Sequence, residues 1–122
     1  MKVDDVRADL HFLKDREVIL FGSFVTGDLT PHSDIDVAII TRSSDRRLLM
    51  ETRIDASGRA SDRYDIHVLE ALPLLVIGSI LDHYEVLFGD PLEIGLYLCR
   101  YRRRWNDYRH RVEIPSIREM RQ

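Results

Sequence analysis

Residues 22–39 read GSFVTGDLTPHSDIDVAI, and the fold turns on that stretch. Gly22, Gly27 and Pro31 break regular structure, and Asp34 and Asp36 then lead straight into apolar sequence. Glu17–Phe21 (EVILF) before it is a short apolar run ending at Gly22, as a buried strand would. Ile35–Thr41 (IDVAIIT) is a second strand, apolar for nearly its whole length, so both of its faces should be covered. Side chains alternate along a strand, which sets Asp34 and Asp36 on one side at its entry. Two like charges held so close cost energy unless a cation sits with them.

The rest of the chain supplies helices and two further extended segments. Val3, Val6, Leu10 and Leu13 recur at helical spacing, giving an amphipathic helix over 3–14. Ser43, Ser44 and Asp45 form an N-cap for a helix reaching about Ser57, followed by a loop over 58–62. Tyr64–Leu69 (YDIHVL) has strand composition. Leu72–His83 is a helix with Pro73 in its first turn, and Val86–Phe88 is a short extended piece before the turn Gly89-Asp90-Pro91. A long helix covers about 92–112 and is ended by Pro115; on it Tyr97, Tyr101, Trp105, Tyr108 and Val112 make one stripe. The order points to an α/β fold, a small mixed sheet of three to four strands with helices packed mainly on one side. The 122 residues form a single domain.

Charge is unevenly spread. Residues 1–99 carry 10 Lys/Arg against 18 Asp/Glu, and residues 100–122 carry 8 against 3, so a basic tail follows an acidic body. The tail is either a solvated helix face or a docking surface for an acidic partner or RNA, with the partner favoured over RNA. Cys99 is the single cysteine, which fits a cytoplasmic protein without disulfides. The acids of MKVDDVRADL exclude a signal peptide, and ALPLLVIGSIL (71–81) is too short to span a bilayer.

Asp65 opens the third apolar run. If that strand lies beside the Asp34 strand, three carboxylates gather, an oxygen-only set that suits Mg²⁺. Two such ions serve in-line displacement at phosphorus. The turn at Gly22-Ser23 allows close backbone approach to a ligand, with N–H groups that attract phosphate. His67 follows two residues after Asp65 and shares its face of the strand; it either sits near a bound nucleotide or, the favoured reading, is a satisfied histidine on a packed strand.

Gly22-Ser23, ten residues, then Asp34-Ile35-Asp36 reproduces the GSx10DxD signature, and Asp65 at the head of a following strand resembles the third acid of the same group. The chain thus resembles the DNA polymerase β-like nucleotidyltransferase superfamily, and its small size and the segment PLLVIGSILDHYEVLFGDP resemble the minimal nucleotidyltransferases (MNT). The span that carries the resemblance to the superfamily, about 17–69, is the implied catalytic core. The resemblance implies ATP as substrate, two Mg²⁺ ions and transfer of AMP. Carried over by position, Gly22 and Ser23 hold the triphosphate, Asp34 and Asp36 bind metal, and Asp65 completes the metal site and acts as base. It also implies an antitoxin paired with a HEPN-domain toxin, an RNase, silenced by AMP on a tyrosine. Self-association is left open. The turn departs from the frequent GSxARG form, having Val25-Thr26 where relatives place an arginine; Arg42, Arg63 or the partner would have to supply that charge. The alternative is a non-catalytic antitoxin acting by direct binding. Transfer to a small molecule ranks lower, since little chain remains to grip one.

Overall fold

The computed structural model describes the backbone of residues 2–121 and the side chains of residues 2–110. In chain order the elements are α1 (Val3–Asp9), β1 (Glu17–Phe21), α2 (Ser23–Thr26), β2 (Ile35–Ile40), α3 (Arg46–Arg59), β3 (Tyr64–Val68), α4 (Leu74–Asp82), β4 (Glu85–Phe88) and α5 (Pro91–Arg121). Single 3-10 turns follow α1 (His11–Leu13) and β3 (Leu69–Ala71).

The four strands form one mixed sheet in the order β3-β2-β1-β4. β1 pairs antiparallel with both β2 and β4, while β2 and β3 run parallel. A parallel pair needs a crossover long enough to return the chain, and α3 supplies it. Its N-cap is Asp45, whose side chain accepts from the Arg47 N–H, as the Ser43-Ser44-Asp45 reading requires.

Helices cover both faces of the sheet. Val18, Leu20, Ile35, Val37 and Ile39 point to one face, where Val6, Leu10 and Leu13 from the α1 region and Ala56 of α3 close the core. Ile19, Phe21, Ala38 and Ile40 point to the other, under Ile77, Ile80 and Leu81 of α4 and Ile94 and Leu98 of α5. One-sided packing is therefore corrected: the continuous apolar run of β2 needs a cover on each face, and the chain provides two helices for each. Val18, Ile19 and Leu20 have no exposed surface, so each stabilises the fold by about 1.5–3 kcal/mol.

Three boundaries differ from the sequence reading. The helix over 3–14 breaks at Leu10 into a short α-helix and a 3-10 turn. Gly58 lies inside α3, not in a loop. The last helix continues through Pro115 to Arg121 instead of ending there; proline's fixed φ is itself helical, which permits this at the cost of a backbone hydrogen bond and of crowding between a proline ring and the carbonyl four residues back. The expected place of Val112 in the aromatic stripe lies outside the described side chains. Within them, Tyr97, Tyr101 and Trp105 pack against the α4 face of the core. Trp105 sits so close to Gly78 of α4 that a Cβ there would fall 2.5 Å from the indole ring.

Candidate active site

The hairpin register explains the spacing of the opening motif. β1 and β2 pair so that Phe21 faces Asp36, and Gly22 is the next residue out. The chain between them makes one turn of helix in α2 and a tight turn over 30–33. There Ser33 N–H donates to Thr30 O (3.0 Å) and Thr30 N–H donates to the Ser33 hydroxyl (3.2 Å). Gly22 has φ 73°, and a Cβ added to it would lie 2.3 Å from Asp36 Oδ2. Glycine is demanded twice, by the backbone conformation and by the carboxylate beside it.

The parallel pairing of β2 with β3 sets Asp36 directly opposite Asp65, and Ala38 opposite His67. Adjacent strands lie about 4.8 Å apart, so in-register residues on one face are neighbours. His67 Nε2 is 2.9 Å from Asp65 Oδ2 and 4.0 Å from Asp36 Oδ1. Phe21 stands beside the imidazole, with ring centroids 5.8 Å apart. Ligand atoms of Asp36, Asp65 and His67 all lie within 4.8 Å of one another, a set able to hold a divalent ion. Asp34 is exposed at the mouth of β2, outside that tight set, yet near enough for its charge to act on Asp36.

Electrostatics single out Asp36. Burial pushes its carboxyl above the usual range, the Asp65 charge adds to the rise, His67 opposes it, and Asp34 adds again. A cation here would relieve that repulsion, and the oxygen-rich donors with one imidazole fit Mg²⁺ held partly by a substrate phosphate. A cavity of about 460 Å³ opens beside the cluster, lined by Phe21, Gly22, Ser23, Thr26, Asp28, Ser79, Ile80 and His83. No arginine lines it among the described residues. Arg42 lies beyond the far end of β2, paired with Glu17 at 2.6 Å, and supplies no charge here. Arg63 lines a separate cleft with Leu29, Pro31 and Ser33. His83 is the basic side chain that does reach the cavity.

The structure thus brings carboxylate oxygens of Asp36 and Asp65 within 4.8 Å of each other, sets Gly22 against Asp36, and leaves Ser23 on the cavity wall. It adds His67, read from the sequence as a packed histidine. The signal was present, since a residue two places after Asp65 shares its face of the strand.

Comparison with known proteins agrees with this geometry. Residues 3–87 match the family described as "Nucleotidyltransferase domain". A protein of Methanocaldococcus jannaschii named "Putative protein adenylyltransferase" is 31% identical over 105 residues, 84% of this chain and 81% of that protein. Among solved structures, a toxin-antitoxin with AMP-PNP superposes with a TM-score of 0.73 at 16% identity, covering 98% of this chain and 99% of the other. A complex of tri-AMPylated Shewanella oneidensis HEPN toxin with MNT antitoxin gives 0.64 at 14% identity, covering 97% and 95%. The fold, the paired carboxylates and the glycine turn converge with the sequence match: the chain belongs to the nucleotidyltransferase domain family.

Proposed function

We propose that the chain transfers AMP from ATP to a tyrosine hydroxyl of a HEPN-domain toxin and so serves as its antitoxin, in the cytoplasm and with Mg²⁺. The observation that carries the reading is the Asp36–Asp65 pair set in register beside Gly22. The adenylyltransferase name of the 31% identical relative supports the reaction class. The toxin-antitoxin complexes that share the fold, one with an AMPylated HEPN toxin, support the acceptor.

Asp34, Asp36 and Asp65 would hold the metal, with His67 as a further donor or as the group that orients Asp65. Bound Mg²⁺ would neutralise the triphosphate and make the acceptor hydroxyl easier to deprotonate. Gly22 and Ser23 receive the triphosphate, since the first N–H groups of α2 lack intrahelical partners and the Ser23 hydroxyl is a donor. His83, on the cavity wall, offers the phosphates a hydrogen-bond donor where the turn has no arginine. The tyrosine oxygen forms a bond to the α-phosphorus, the bond from that phosphorus to the bridging oxygen breaks, and pyrophosphate leaves. Asp65 accepts the hydroxyl proton.

The test is mass spectrometry of the cognate toxin after incubation with the chain, ATP and Mg²⁺. Addition of AMP to a tyrosine is expected; an unmodified toxin under these conditions would overturn the catalytic reading. The lack of an arginine among the described residues lining the cavity favours one second reading, neutralisation by contact alone. Full growth rescue by a variant carrying Asp34→Ala and Asp36→Ala would select it.

A further inference from the structure

A cavity of about 750 Å³ lies apart from the one beside the carboxylates. It lies past the opposite end of β2, six residues on from Asp36, or roughly 20 Å along a strand. α3 forms one wall and α5 the other, with the 3-10 turn after β3 at the base. Arg42, Arg46, Arg53, Arg100 and Arg104 line it, with Tyr97 and Tyr101 between them and Glu70 as the single acidic lining residue among those described.

Glu70 is already committed. It accepts from the Thr41 N–H (3.1 Å) and hydroxyl (2.9 Å), from the Arg42 N–H (3.0 Å) and from the Tyr97 hydroxyl (2.6 Å). Arg42 is held as firmly, donating twice to Glu17 and stacking over Tyr97 at 4.8 Å. It is the one non-glycine residue among those described with positive φ, at 57°. The rest of the basic lining is less engaged. Arg53 donates to the Ile66 carbonyl, Arg104 lies over Tyr101 and Arg100 over the edge of Tyr97. Arg46, Arg100 and Arg104 have no ion pair among the described residues. A rigid tyrosine-glutamate floor thus carries guanidinium groups from two helices, aimed into one concavity.

We propose that this groove binds a small molecule bearing clustered phosphates. Guanidinium groups match phosphate oxygens bidentately, and several converging from two walls suit an oligophosphate better than a lone carboxylate. The volume is that of a small-ligand site. The site is separate from the carboxylate cluster and does not depend on the transfer reaction.

Calorimetric titration of the full chain with tripolyphosphate, in excess EDTA, tests it. Saturable binding is expected, weakened at least about tenfold by Arg46→Glu with Arg104→Glu and by less with the double glutamine variant. Both arginines are exposed, so the fold should hold, with unchanged circular dichroism as the check. Asp34→Asn with Asp36→Asn should leave this binding unchanged. ATP titrated into that asparagine variant, with and without the two Arg→Glu changes, identifies the source: binding tighter than tripolyphosphate that the arginine changes weaken means a nucleotide, equal binding an inorganic oligophosphate. The proposal is overturned by no binding, by binding that ignores the arginine changes, or by binding lost in the asparagine variant. It is equally overturned if the groove takes only RNA, with affinity rising with length and none for tripolyphosphate.

Discussion

The two ends of β2 are built on opposite terms. At its start, Asp36 and Asp65 face each other with His67 beside them, and burial holds Asp36 reluctant to ionise. Past its end, Glu70 has every hydrogen bond it needs and lies among arginines. The first is an arrangement left incomplete by the protein alone. The second is complete as a frame and exposes surplus charge around it. Charge that costs stability marks where chemistry takes place, whereas satisfied charge marks scaffold.

Mutation can separate the two ends. Replacing Asp34 and Asp36 with alanine should lower AMP transfer at least about a thousandfold, the loss expected when metal-holding groups go, with the fold intact by circular dichroism. Gly22→Ala should cost about a hundredfold in transfer, because the new methyl group meets Asp36 Oδ2 and the backbone must leave φ 73°. The check is the rate at saturating ATP and Mg²⁺. Glu70→Ala should act on the other end, on stability. It strands the Thr41 and Arg42 N–H groups and the Tyr97 hydroxyl, at a cost of about 2 kcal/mol in urea unfolding. A transfer loss as large as that of the aspartate variants would break the division between the ends.

The smallest effect has the most telling sign. Asp36 sits above the usual carboxyl range in the folded chain. Its contribution to stability is then present below the unfolded pKa and lost as pH rises through the folded one. At neutral pH the ionised group is a burden. Asp36→Asn should raise the melting temperature of the metal-free protein by about 2–4 °C at neutral pH, a gain that vanishes in acid. Millimolar Mg²⁺ should then stabilise the parent chain and not the variant.

Much of the carboxylate end was legible in the sequence, because hairpin spacing and strand alternation are local rules. Gly22, Asp34 and Asp36 could be placed by counting, and Asp65 needed only that β3 lie beside β2. His67 follows by the same parity, but nothing in the sequence tells whether a strand histidine meets a carboxylate or a core. The groove was not legible. Arg42, Glu70 and Tyr97 come from three separate elements, and only the sheet order and the covering of both faces bring them together. One-sided packing failed on the same point: the apolar length of β2 asked for two covers, and only tertiary structure shows α4 and α5 forming the second.

The contact of Trp105 with Gly78 has a practical consequence. The chain has one tryptophan, and its indole rests on α4 next to Ser79 and Ile80, which line the cavity beside Gly22. The protein therefore carries its own optical gauge. Any ligand that shifts α4 as it enters changes the polarity around a single emitter, so nucleotide entry can be followed by intrinsic fluorescence, with no label attached.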